Sequence, residues 1–538
     1  MVPSSSLNGI SLADQSVHEK VLDAARSYAR NHPNLKAFVD ARNEHSYQTF
    51  EKLVDNSARF ASFLHSRDFG HNDVACLVLD NCIEYMSGVM GVLSVGGTVC
   101  PVNPLYSTAE IRRQVLEVNA SIVLTSVELL TLVLPVAVEN KNVKNVVCID
   151  SYGAPLPANV TSWSTVMSTA PSFIPRFNYS PDDVALISRS SGTSSRPKTI
   201  RLTHRNVVSN LEAVDLHMKQ FVNRKVFQDG KTVGNCDPLV MPMSHSYGFG
   251  TTLMNLISGI TTIVLQPNST QLLDVIQKHR VRLLSVTPPS LNLLASNEKT
   301  QKYDLRSLKL IITGGAAAGK ELVAKVVEKL PQVRVLQGYG MTEAVFAVTM
   351  GSLESADSDS VGRPLPGFQL KVVDDTGKET TPGMKGHLLV SGPSVMMDGE
   401  SVKDGWLHTG DVAMVNSSGN LVLVDRMQEM MNVGGVDVSP SEVEDVLFSL
   451  KQIVDVAVTS HEGKVVAFIV KNGSVGHFDE KVVRELMEEV ITNKKWKLDG
   501  IEFVSFIPRN QSGKILRRRL RSRIQSRIIE ESSKVAIK

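Results

Sequence analysis

LKLIITGGAAAGKELVAKVVEKLPQVRVLQGYGMTEA, residues 308–344, opens on an apolar strand candidate, crosses a run of small residues and a helical stretch, and reaches a second strand candidate. It ends on a turn in which Tyr339 stands between Gly338 and Gly340. Strand, helix and strand in that order form the unit of a parallel sheet covered by helices. The rhythm repeats upstream, where ASIVLTS (120–126), NVVCID (145–150), TTIVLQ (261–266) and RLLSVTP (282–288) alternate with helical stretches. The bulk of the chain is therefore expected to be α/β, with largely parallel sheets.

Outside that block the pattern changes twice. Helical periodicity marks 17–32 and 50–66 ahead of the strand candidate VACLVL at 74–79. After about residue 350 come short strands punctuated by Gly and Pro, the signature of a small antiparallel β subdomain at about 350–424. The remainder has the length of a compact α+β unit. The expected division is a large N-terminal domain over 1–424, a junction at 425–428 and a small mobile C-terminal domain over 429–538.

With 538 residues, 42% hydrophobic and 21% charged, the chain reads as a multi-domain soluble enzyme without an integral membrane segment. A net charge of +2 gives no reason to expect nucleic acid, and five scattered cysteines without metal spacing suggest a reducing compartment. The first residues lack the features of a signal peptide and the last are not of the SKL type, so the cytoplasm is the default location. Nothing in the sequence fixes the oligomeric state.

Four stretches carry chemistry. In SSGTSSRPKT, hydroxyls of Ser190, Ser191, Thr193 and Ser194, backbone N–H groups around Gly192 and the charge of Lys198 are suited to a triphosphate, although such a loop is also common as a plain surface turn. GGAAAGKE nearly spells a Walker A loop, but Glu321 stands where the magnesium-binding hydroxyl would be. The small residues Gly315 and Ala316 instead let a flat group approach the backbone. In QGYGMTEA the Tyr339 ring can lie against a planar base, with Thr342 and Glu343 directed at phosphates and Glu343 the natural magnesium ligand. Asp411, in WLHTGDVA, has a carboxylate able to accept from ribose hydroxyls. Lys514 lies on a Ser-Gly turn, and nothing local separates it from Arg517, Arg518 and Arg519. His245 follows an apolar run, where a hydrogen-bonded core histidine is the commoner outcome.

The order and spacing of these stretches resemble the adenylate-forming superfamily of acyl-CoA synthetases, coumarate-CoA ligases, luciferases and adenylation domains, over nearly the whole chain. The resemblance implies that ATP activates a small-molecule carboxylic acid as an acyl-AMP, and that coenzyme A then takes the acyl group. It implies Mg2+ as cofactor, ligated by Glu343. It places Ser190, Ser191, Gly192, Thr193, Ser194 and Lys198 on the outer phosphates, and Gln337, Gly338, Tyr339, Gly340, Met341 and Thr342 on AMP, beside Gly315 and Ala316. Asp411 and Arg426 fall on the ribose. Lys514 bridges the carboxylate and the α-phosphate. Ser244, His245, Tyr247, Gly315, Gly338, Val345 and Phe346 border the acid, and Gly434 and Gly435 line the thiol tunnel.

Departures from that pattern shape the substrate expectation. Ser195 and Thr199 replace glycines of the phosphate loop, which implies strain there and weaker use of ATP. Gln428 at the junction, Asn432 and Asp437 beyond it, and Val345 with Phe346 after Glu343 argue against coumarate itself. The leading expectation is an acyl-CoA ligase for a medium-chain or aromatic acid, within fatty acid metabolism. The alternatives are adenylation with transfer to an amine or hydroxyl, and a weakened nucleotide-binding regulator.

Overall fold

A computed structural model describes residues 15–536 apart from 151–154, 172–178, 191–197, 268, 297, 355–356, 358, 398, 434–435, 474–477, 491–496 and 511–512. The fold is mixed α/β. Its first sheet has seven strands in the order Val160–Ser162, Asn145–Ile149, Ile122–Ser126, Val74–Val78, Thr98–Val102, Val184–Ser190, Lys198–Thr203. All neighbours are parallel except the last two, which form an antiparallel hairpin. Val74–Val78, Thr98–Val102 and Ile122–Ser126 are buried at every position, because helices cover both faces of the sheet.

A second sheet runs Cys236–Leu239, Thr261–Val264, Lys36–Asp40, Asn43–Thr49. A third places Leu283–Val286, Leu310–Thr313 and Arg334–Tyr339 in parallel register, and Thr349–Met350 turns back antiparallel on the last of them. Local chemistry sets the helix starts: Ser16 and Ser107 form capping boxes with Glu19 and Glu110, and Thr49 and Thr203 cap the helices that follow them.

The antiparallel strands Gln369–Val373, Gly386–Ser391, Trp406–Val415 and Leu421–Arg426 form the β portion. Beyond them lie the hairpin Met431–Val433/Val436–Val438 and the sheet Ile453–His461, Lys464–Lys471, Leu498–Phe503, with helices Pro440–Phe448, Glu480–Val490 and Arg517–Ala536. One apolar cluster joins this unit to the third sheet, since Val286, Ile311 and Val323 belong to the same buried group as Leu447, Phe448 and Val456. Among the described residues, no helix is long and apolar enough to cross a membrane.

Candidate active site

Parallel strands deliver their C-terminal ends to one edge of a sheet, and that edge is where α/β folds collect ligands. Here the ends of Leu310–Thr313 and Arg334–Tyr339 are paired from Leu310–Arg334 to Thr313–Gln337, so Gly314, Gly315 and Gly338 emerge side by side. They open into a cavity of about 440 Å³. Gly340 is a steric requirement of that turn, because a Cβ there would lie 1.6 Å from the carbonyl oxygen of Phe346.

Tyr339 is nearly buried and its hydroxyl donates to Asp411 Oδ2 at 2.6 Å. Burial, then the Asp411 carboxylate, push this phenol well above its ordinary range, so it stays a donor. Arg426 reaches the other oxygen of Asp411 through Nε at 2.7 Å. Strand pairing makes this possible, for Asp411 and Arg426 are cross-strand partners on Trp406–Val415 and Leu421–Arg426.

Lys514 arrives from the C-terminal unit. Its backbone N–H donates to Asn510 Oδ1 at 2.9 Å, and Asn510 N–H returns a bond to the Lys514 carbonyl at 2.9 Å. Arg509 fixes the same loop, donating to Gly513 O at 2.9 Å and pairing with Asp455 at 2.7 Å. The Lys514 ammonium is lowered to about 8 by burial and by the nearby Arg426 charge, with Asp411 and Glu343 opposing. It is a partly desolvated cation held among charged groups.

His245 caps the helix Ser246–Ser258 and accepts the Tyr247 N–H at 3.3 Å. Burial and the Lys514 charge lower its imidazole to about 4, so it is neutral at physiological pH. Tyr247 donates to the carbonyl of Ile312 at 3.2 Å. Phe346 packs on the same helix, where a Cβ at Gly250 would meet its ring at 2.3 Å. The Phe346 ring thus closes one side of the cavity in space that only a glycine leaves free.

Of the residues expected from the sequence, Ser190, Lys198, Ser244, His245, Tyr247, Gly315, Gly338, Tyr339, Gly340, Met341, Thr342, Glu343, Phe346, Arg426 and Lys514 line this one cavity. Ala316, Gln337, Asp411 and Val345 do not line it; Asp411 acts from behind Tyr339 and Arg426, and Val345 is buried in the apolar core. Ser191, Gly192, Thr193, Ser194, Ser195, Gly434 and Gly435 lie outside the described residues. The expected strain at Thr199 is corrected: this residue is in the extended strand Lys198–Thr203, paired with Arg189, and its hydroxyl donates to Glu117. Sequence reasoning missed Arg189, Tyr106, Gln114, Met350, His408 and Asn510, which also line the cavity. Arg189 had a signal, a charge directly after the apolar run VALIS and just before the loop.

The cleft at the strand ends thus gathers a lysine, a glutamate and an arginine braced from behind by a buried aspartate, the charged lining of a ligand site in an α/β fold. The model of the AMP-binding enzyme family matches residues 25–398, and that of the AMP-binding enzyme C-terminal domain matches 442–514. The chain belongs to the AMP-binding, adenylate-forming enzyme family. A Pinus taeda 4-coumarate–CoA ligase is 31% identical over 91% of this chain and 92% of its own length. The Arabidopsis thaliana 4-coumarate–CoA ligase 1 is 29% identical over 95% of this chain and 92% of its own. Among solved structures, the anthranilate CoA ligase AuaEII bound to anthranoyl-AMP superposes with a TM-score of 0.86 at 20% identity, covering 97% of this chain and all (100%) of that one. The amide bond synthetase McbA from Marinactinospora thermotolerans gives 0.79 at 21% identity, covering 94% and 99%.

Proposed function

We propose that this protein activates an aromatic or medium-length carboxylic acid with ATP and transfers the acyl group to coenzyme A. The observation that supports the reading best is the meeting, in one cavity, of Lys514 from the C-terminal unit with Arg426, Glu343 and His245 from the rest of the chain. In the first step a carboxylate oxygen attacks the α-phosphorus of ATP and pyrophosphate leaves. Lys514 offsets the negative charge that builds on the α-phosphate and the incoming carboxylate, where a fixed cation is worth most in a water-poor site. Arg426, oriented by Asp411, faces the ribose. In the second step a thiol sulfur attacks the acyl carbonyl and AMP leaves.

Among the described residues no group of three or more His, Cys, Asp or Glu forms a metal cage. A single carboxylate beside bound phosphates nevertheless fits Mg2+, which commonly takes one or two protein oxygens and completes its shell from phosphate and water. Glu343 would hold it, and the ion would neutralise phosphate charge. His245, neutral near pH 7, shapes the acid side of the cavity without adding a charge.

The character of the acid follows from the walls. Tyr247, Phe346, Ile312 and Met350 give the cavity apolar and aromatic surfaces. That favours an acid with an apolar or aromatic body. Pyrophosphate release measured across a panel of acids, with and without coenzyme A, tests the reading. Acid-dependent release with thioester formation is expected. Acid-dependent release with an amide or ester as product would make an amine or hydroxyl the acceptor, and no release with any acid would leave a nucleotide-binding regulator.

A further inference from the structure

The two stems of the phosphate hairpin are joined to one carboxylate. Glu117, the last residue of helix Thr108–Glu117, receives the Arg189 guanidinium on one oxygen and the Thr199 hydroxyl on the other. Arg189 is next to last in the rising strand Val184–Ser190, and Thr199 is second in the returning strand Lys198–Thr203. They are register partners, as are Ser190 and Lys198. Cross-strand partners share a face of the sheet, so Arg189 and Thr199 turn to Glu117 while Ser190 and Lys198 turn the other way.

Helix energetics do not account for this carboxylate. A negative charge at a helix C-terminus meets the negative end of the dipole and is disfavoured there. Its partners account for it: the Arg189 side chain is only 10% exposed, and a guanidinium that buried needs a counter-ion. The helix that carries Glu117 is itself fixed to the first sheet, where Gln114 donates to the carbonyl of Pro101 at 3.2 Å. Ser190 Oγ is buried with no hydrogen-bond partner among the described residues, and it lines the cavity together with Lys198 and Arg189. Both oxygens of Glu117 are thus engaged, and the Ser190–Lys198 pair presents an unsatisfied hydroxyl and an ammonium whose salt-bridge partner is the exposed Glu400 at 3.8 Å.

We propose that Glu117, through Arg189 and Thr199, is a positioning residue that holds both stems of the hairpin so that Ser190 and Lys198 meet the outer phosphates of ATP. The identity of that ligand rests on the adenylation reading above; the clasp itself does not. Thr199 is then an adapted residue, which a glycine could not replace.

The experiment compares Thr199→Val, Thr199→Ser and Glu117→Ala with the unaltered full chain. Amide hydrogen exchange of the stems, 186–190 and 198–202, is read without nucleotide. KM for ATP, kcat and the dissociation constant of AMP are read alongside. Thr199→Val and Glu117→Ala should speed exchange in both stems; Thr199→Val should raise KM for ATP about tenfold, the loss of one hydrogen bond to a charged group, and Glu117→Ala, which loses the Arg189 contact as well, at least as much. kcat at saturating ATP and AMP affinity should stay within about twofold, because AMP lacks the outer phosphates. Thr199→Ser, which keeps the hydroxyl, should restore both readouts. Unchanged exchange in Thr199→Val overturns the clasp, as does a Thr199→Ser protein as impaired as Thr199→Val. Faster exchange with unchanged KM for ATP, or an equal loss of AMP affinity, overturns the positioning role. An unaltered protein that does not use ATP would sink the adenylation reading, while the exchange measurement still decides the clasp.

Discussion

Tyr339 and Asp411 are joined by a 2.6 Å hydrogen bond from the phenol to one carboxylate oxygen, while Arg426 holds the other oxygen at 2.7 Å. The aromatic turn and the lone aspartate, 72 positions apart, therefore act as one unit. Tyr339→Phe keeps the ring and removes the donor, leaving a nearly buried carboxylate oxygen short of a partner. A loss of about 1–3 kcal/mol in unfolding free energy is expected. AMP binding should weaken in parallel, because Arg426 loses the brace on its counter-ion. Calorimetric titration with AMP checks this, and unaltered AMP affinity would separate Tyr339 from the nucleotide.

Lys514 gives a pH signature. Its ammonium titrates at about 8, brought down from 10.5 chiefly by burial. Acyl-adenylate formation should thus fall as pH rises through about 8, as the cation is lost. Lys514→Arg should move that fall beyond the measurable range, since a guanidinium does not deprotonate there. Lys514→Ala should reduce the step about 10²–10³-fold at pH 7. The stability sign is opposite to the activity sign: between pH 8 and 10.5 the unfolded chain binds more protons than the folded one, so folding stability gains with rising pH in that window. Lys514→Met should abolish that gain. An activity profile flat to pH 9 would show that the lysine is not the group required.

The α/β layers were legible because parallel strands covered on both faces must be continuous apolar runs, and runs such as IVLTS and LIIT read that way without help. The site was legible only in part. Lys514 and Arg517 are equivalent as letters; in space Arg517 is spent in a buried pair with Glu444 at 2.6 Å, and Lys514 faces the cavity. Thr199 looked like a strained stand-in for glycine because loop position was read without its cross-strand partner. Glu117 lies 82 residues from Thr199 and carried no local mark at all. Contacts between distant segments are invisible to periodicity, and these are the ones that assign roles to identical side chains.

The loop that nearly spells a phosphate-binding motif has an occupant of another kind. Asp445, on helix Pro440–Phe448, accepts the backbone N–H of Glu321 at 3.2 Å, at the N-terminus of helix Lys320–Lys329. A Cβ at Gly319 would stand 2.1 Å from the same carboxylate oxygen. A carboxylate at that helix end contributes about 0.5–2 kcal/mol. Here it docks the C-terminal unit in the arrangement that brings Lys514 to the cavity. Asp445→Ala should therefore lower acyl-adenylate formation several-fold and leave thioester formation from supplied acyl-adenylate unchanged. Gly319→Ala should act in the same direction by pushing the carboxylate away. Rapid-quench measurement of each half-reaction decides it; equal loss in both would mean that the contact serves folding alone.

Val345 stands two residues after Glu343 with φ 70° and ψ −75°, a conformation that a β-branched residue avoids. The residue is only 3% exposed, so packing compensates the strain. The two contributions can be separated by two substitutions. Val345→Ala removes methyl groups from the core and keeps a Cβ in the strained backbone, whereas Val345→Gly removes one more carbon and releases the strain. Strain of this kind is worth about 1–3 kcal/mol, against about 0.8 kcal/mol for the extra carbon. The glycine variant should consequently be the more stable of the two by about 1 kcal/mol, the reverse of the usual order of alanine and glycine. Urea unfolding of both proteins provides the comparison. If the alanine variant is instead the more stable by about 0.8 kcal/mol, the extra carbon alone decides the order, Val345 is not strained, and the backbone that presents Glu343 and Phe346 to the cavity is relaxed.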